Sequence, residues 1–229
     1  MRQRLHANLT SYTFNQFVDF LFAPVVGPEL ADRRDRWYFN TEVCFEPHRV
    51  CGYYVDLFRN SGFLLDRYSR TQLEQGFSAM RVRSLSCSVR QLIWSLDVPF
   101  SHREECVRSM FHLCRDIFRH DSIGFTASNW WDSFCFDWEC GIRRRPRDGE
   151  DSLMQDVLFG TLCQVVLIDS SICRGSALHG LEHLHHPETL TFIDGLIRSR
   201  PDLAEELTQY ADGIRGQVPF WMRSARQGD

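Results

Sequence analysis

The residues whose types and spacing could do chemistry are His179, Glu182 and His183, in the run His179-Gly-Leu-Glu182-His183, followed at once by His185 and His186. Imidazoles four residues apart stand one turn apart on a helix, so both can offer a ring nitrogen to one ion, and a glutamate beside them can polarise a bound water. On a helical wheel His179, His183 and His186 share one face, nearly opposite the apolar positions of the same stretch. The spacing predicts either a zinc site, with His179 and His183 as ligands and Glu182 as the base, or a metal-free polar stripe turned to solvent or to a partner.

The HxxEH order resembles that of inverted zinc metallopeptidases. The resemblance implies a further carboxylate ligand downstream, where this chain has only Glu188, Glu205, Glu206 and nearby Asp residues in a tail much shorter than those enzymes use. No other catalytic pattern occurs: GxSxG, Walker-type loops and GxGxxG are missing, and Ser170 and Ser171 stand beside Asp169 without an identifiable base. Cys163 and Cys173 fall in apolar helical stretches, where burial leaves a thiol inert.

A second constellation interleaves aromatic and acidic residues: Trp130, Trp131, Asp132, Phe134, Phe136, Asp137, Trp138 and Glu139. Large aromatics of this kind build cores, and they also anchor interfaces. On the interface reading the binding residues are Trp130, Trp131, Asp132, Asp137, Trp138 and Glu139, with the carboxylates suited to a basic protein.

Composition sets the frame. The 229 residues, 43% hydrophobic and 24% charged, with 18 Phe and 6 Trp, hold ample apolar surface for a globular core. A formal net charge of −4 argues against nucleic acid as partner. The basic cluster Arg143, Arg144, Arg145 and Arg147, set among Gly141, Pro146 and Gly149 and running into Asp148, Glu150 and Asp151, reads as a solvated loop. Nine cysteines without CxxC spacing predict reduced, buried thiols. Asn8, Asn15, Gln16 and Asp19 interrupt any secretory signal, and the longest uncharged apolar stretch, Val157 to Ile168, is too short to span a bilayer. A cytoplasmic protein with no membrane partner is the expectation.

The elements that must position these residues are helices. Thr13 with Gln16, Ser69 with Gln72 and Ser101 with Glu104 have capping-box spacing, each before an apolar stripe of helical period, and Pro47 suits a first turn. Trp37 to Phe45 is the one strand candidate, expected as an extended connection or a short hairpin. Leu153 to Ile168 predicts a central helix, apolar nearly all round, and 172–184, 188–199 and 202–214 predict three more joined by short turns, hence antiparallel.

The combination of Phe17-Val18-Asp19-Phe20, Trp130-Trp131-Asp132 and Ser176-Ala177-Leu178-His179-Gly180-Leu181 resembles uncharacterised bacterial all-helical proteins of similar size, and the last 60 residues or so are similar to HEAT-type repeats. That resemblance implies an all-α fold of stacked antiparallel helical hairpins, either a HEAT-like superhelix or an irregular bundle, presenting a face to a protein partner. The expected organisation is one helical domain over 1–229: an aromatic-rich part at 1–140, an exposed loop at 141–151 and a HEAT-like part at 152–229. The expected function is a non-catalytic protein–protein interaction module without cofactor, such as a bacterial immunity protein that neutralises a basic toxin or effector. The alternative is a zinc-dependent hydrolase built on His179, Glu182 and His183.

Overall fold

The computed structural model describes residues 5–24, 36–120, 124–145 and 149–216. It is all-α apart from one two-stranded sheet, as the capping and stripe signals predict. No helix among the described residues is long and apolar enough to cross a membrane. The chain divides into two compact units, Met1–Trp130 and Trp131–Asp229. The division falls ahead of the expected boundary at 140/141, because the Trp131-led helix packs with the C-terminal helices.

In the first unit, β1 (Leu5–Asn8) is followed by α1 (Phe14–Phe22), β2 (Thr41–Cys44), α2 (Pro47–Arg59), α3 (Leu64–Arg67), α4 (Arg70–Arg81), α5 (Val89–Leu92), α6 (Phe100–Leu113) and α7 (Gly124–Ser128). Capping boxes at Thr13 and Ser69 start α1 and α4, each with its glutamine side chain accepting from the cap backbone. The expected box at Ser101 does not form. Helix α6 begins two residues earlier, at Phe100 behind Pro99 and with no side-chain cap, while Glu104 accepts from Arg108 at 2.8 Å. The end of α6 widens into a π-turn, Cys114–Phe118. The strand candidate is also corrected. Trp37–Phe39 is a 3₁₀ turn, and Thr41–Cys44 pairs in parallel with β1, from Leu5 against Thr41 to Asn8 against Cys44. Parallel strands need a long crossover, which excludes the hairpin and which the stretch containing α1 provides.

Aromatic rings fill this unit. Phe17 meets Tyr54 edge-on at 5.1 Å, and Trp130 receives Phe58 at 6.0 Å, Phe77 at 6.1 Å and Phe118 at 5.3 Å. Edge-to-face pairs of this kind add about 0.5–1.5 kcal/mol each beyond burial. Helix α1 closes on α4 where Gly76 faces the Phe22 ring: a Cβ there would stand 2.1 Å from Phe22 Cδ1.

In the second unit, α8 (Asp132–Glu139), α9 (Glu150–Val166), α10 (Ser171–Leu184), α11 (Thr189–Ser199) and α12 (Ala204–Gly216) follow in order, with a 3₁₀ turn at Pro201–Leu203. Helix α10 packs against α8 and α9, and α11 against α12. The Ser170 hydroxyl caps α10, and Gln155 of α9 donates to the Leu184 carbonyl at its other end, 2.7 Å away. Helix α9 is less uniformly covered than its composition suggests, since Leu153 in its first turn is half exposed.

Two glycine substitutions test this packing with opposite signs. Gly76→Ala forces a methyl into the Phe22 ring and is expected to cost about 1–3 kcal/mol. Gly52→Ala, in α2 with open space around it, is expected to add about 0.5–1 kcal/mol. Urea denaturation of both variants against the parent measures the pair.

Candidate metal centre

Helix geometry brings His179 and His183 onto one face of α10, with their Nε2 atoms 3.2 Å apart. Residue 180 between them is glycine for a packing reason. A Cβ at Gly180 would stand 2.7 Å from Trp131 Cβ and 3.1 Å from Leu162 Cδ2, so only a residue without a side chain lets α10 come this close. Trp131 directly precedes α8, whose first residue is Asp132. Seating Trp131 against Gly180 therefore places the Asp132 carboxylate beside the imidazoles: its Oδ1 lies 3.3 Å from His183 Nε2 and 3.7 Å from His179 Nε2.

These three atoms form a compact donor triangle. Zinc bonds imidazole nitrogen and carboxylate oxygen at about 2.0–2.2 Å, so two ligands of a tetrahedral ion lie about 3.3–3.4 Å apart. The observed 3.2 and 3.3 Å are close to that spacing and the 3.7 Å between His179 and Asp132 is a few tenths of an ångström longer, while the point equidistant from the three atoms is about 2.0 Å from each. Asp132 and His179 are partly exposed and His183 is largely buried, at 16% side-chain exposure, so the triangle has a floor in the protein and faces solvent on one side.

Carboxylates also stand behind both rings. Glu182 Oε2 lies 3.6 Å from His179 Nδ1, and Glu139 Oε2 lies 4.0 Å from His183 Nδ1. Glu139, the last residue of α8, also meets His185 Nε2. Burial, with the neighbouring His179 adding to it, holds the pKa of His183 below the usual 6.5 against the opposing pull of Asp132, Glu139 and Glu182. A neutral imidazole at physiological pH is the form that ligates a metal.

The structure relocates several residues singled out from the sequence. Glu182 sits on the Nδ1 side of His179, outside the donor triangle, so it is not placed as a base beside a metal-bound water. His186 leaves the shared face. The chain exits the helix at His185 in the left-handed conformation, φ 49° and ψ 37°, and His186 turns onto α9, where its Nε2 meets Asp156 Oδ1 at 2.9 Å and its ring stacks on Phe159 at 4.0 Å. Trp130, Trp131 and Trp138 are buried, as is Asp137, so the aromatic segment supplies core and not an exposed patch. Of the proposed binding residues, Asp132 and Glu139 keep contact with solvent; Asp132 is one corner of the donor triangle, and Glu139 stands behind His183.

The arginine loop is anchored: Arg143 pairs with Asp151 at 2.7 Å and Arg145 with Asp156 at 2.8 Å, while Arg147 lies outside the described residues. Burial raises the thiol pKa of Cys163 to about 12, in keeping with an inert thiol. Sequence reasoning did not bring Asp132 to His179 and His183, since that proximity arises from packing between helices distant in the chain. Its position right after the tryptophan that seats on Gly180 was the only available signal.

Comparison with protein-family models, curated proteins and solved structures finds no match. The likeness to bacterial helical proteins and HEAT-type repeats rests on the quoted residues alone.

Two outcomes follow. Gly180→Ala must push α10 away from Trp131, and is expected to cost about 1–3 kcal/mol in thermal unfolding despite the better helix propensity of alanine. His183 and His186 both have pKa values held below 6.5, chiefly by burial. A folded-state pKa below the unfolded one means that the folded state binds fewer protons, so their contribution is complete above pH 6.5 and is lost as pH falls from 6.5 through the lowered values. The unfolding midpoint should therefore drop from pH 7.5 to pH 5.5, and less steeply in His186→Gln.

Proposed function

We propose that this protein is a metal-binding helical protein, whose second unit holds one divalent transition-metal ion, zinc by preference, on Asp132, His179 and His183. The observation that carries the reading is the donor triangle of 3.2, 3.3 and 3.7 Å, which fits three ligands of one tetrahedral ion. The donor set supports the choice of ion: two imidazoles and one carboxylate suit zinc and its first-row neighbours, whereas calcium and magnesium take oxygen ligands. Three protein ligands with a solvent-facing side leave room for a fourth ligand, the arrangement of reactive and exchangeable sites as opposed to closed structural ones.

Hydrolysis with Glu182 as base is not the version this geometry favours, because that carboxylate stands behind His179. The interaction-module reading, with a toxin-neutralising role as its concrete form, loses its tryptophan anchors to the core. What supports it is the helical class and the acidic surface at Asp132 and Glu139, which the metal reading also accounts for. The HEAT-like stack belongs to the same proposal and has the pairing of α9 with α10 and of α11 with α12 in its favour.

The test is calorimetric titration of chelator-treated protein with zinc. One equivalent is expected to bind tightly, and His179→Ala or His183→Ala to weaken binding by at least 100-fold without loss of helix in circular dichroism. Parent protein that binds no zinc, or variants that bind it as tightly as the parent, would overturn the reading.

A further inference from the structure

An imidazole that ligates through Nε2 carries its remaining proton on Nδ1, and that N–H needs an acceptor if it is buried. For His179 the nearest carboxylate is Glu182, one turn along the same helix. For His183 the requirement is sharper. Its Nδ1 is buried and makes no hydrogen bond, and the nearest carboxylate oxygen is Glu139 Oε2 at 4.0 Å. The same short helix thus offers a ligand at its first residue, Asp132, and an acceptor for the partner histidine at its last, Glu139.

That same Oε2 is held from the other side by His185 Nε2. His185 is the one non-glycine residue with positive φ among those described. Left-handed positions that end helices usually carry glycine, because a side chain there costs free energy. A histidine in this slot gives up that advantage and gains a donor aimed at Glu139. A helix stop alone does not require an imidazole.

We propose that Glu139, held in place by His185, is a positioning residue for the metal ligand His183: from 4.0 Å it closes on Nδ1 when a metal takes Nε2, and accepting the Nδ1–H then fixes the tautomer and the ring orientation at the ion. The relay runs from His185 through Glu139 to His183, and it rests on the metal reading of Asp132, His179 and His183. Oxygen partners of metal-bound imidazoles set affinity by about 10–100-fold in general. The same contact makes a prediction that a purely structural role does not. Replacing His185 by glycine relieves the left-handed strain, so folding stability should hold or rise while metal affinity falls.

The experiment titrates zinc alone into full-length parent, Glu139→Gln, His185→Gly and His185→Asn, with cobalt(II) absorption as a second readout of ligand geometry. Asparagine tolerates the left-handed conformation and covers the case in which the glycine variant folds poorly. Expected are zinc affinities about 10–100-fold weaker in Glu139→Gln and about 10-fold weaker in both His185 variants, with altered cobalt bands and metal-free unfolding midpoints of the His185 variants at or above the parent's. Variants that match the parent in zinc affinity and cobalt spectrum would overturn the relay and leave the three-ligand site standing. Affinity lost only in step with folding stability would also overturn it. Parent protein that binds no zinc would remove the site and the relay together.

Discussion

How closely α10 can approach the start of α8 is set by the side chain that Gly180 lacks, and the geometry of the cluster follows from it. Trp131 seats on that gap, and because Asp132 is the next residue, its carboxylate is carried to a fixed distance from two imidazoles already aligned by helical periodicity. Packing an indole against helix backbone is a rigid way to fix a polar atom, since core side chains interdigitate with few voids and respond to a single added methyl. The donor triangle is thus a by-product of apolar packing and needs no strained loop to form it.

The cluster sets electrostatic conditions of its own. Asp132, Glu139 and Glu182 surround His179 and His183, with His185 beside Glu139. Like charges crowded together are costly, and a bound dication offsets three carboxylates better than neutral imidazoles do. Burial works the other way on His183 and keeps its ring neutral. An acidic rim around a pair of imidazole nitrogens is suited to drawing in a cation, and it disfavours an anionic ligand at the open side.

Much of the helical architecture could be read directly, and the reasons are local. Thr13 with Gln16 and Ser69 with Gln72 close their capping boxes within one turn, so neighbouring residues suffice to predict them. Ser101 with Glu104 has the same spacing and fails, because Pro99 already starts the helix and Arg108 takes the glutamate. The parallel pairing of Leu5–Asn8 with Thr41–Cys44 joins strands far apart in sequence, and no period within either strand announces it. The same distinction divides the site. His179 and His183 were legible because four residues make one helical turn, and Gly180 and Trp131 were each visible without their contact being so. Asp132 required that contact. His186 was placed on the shared face by extending the helix past its real end, where His185 turns left-handed. The tryptophans were ambiguous because the same residue types build interiors and interfaces, and only burial separates the two uses.

X-ray absorption at the zinc edge of the metal-loaded protein tests the central claim most directly, because it reads the ligand atoms themselves. Asp132, His179 and His183 predict a low-coordinate shell of nitrogen and oxygen at about 2.0–2.1 Å, with the multiple-scattering pattern of two imidazoles and no sulfur. A shell containing sulfur, or one of six oxygens without imidazole scattering, would contradict it.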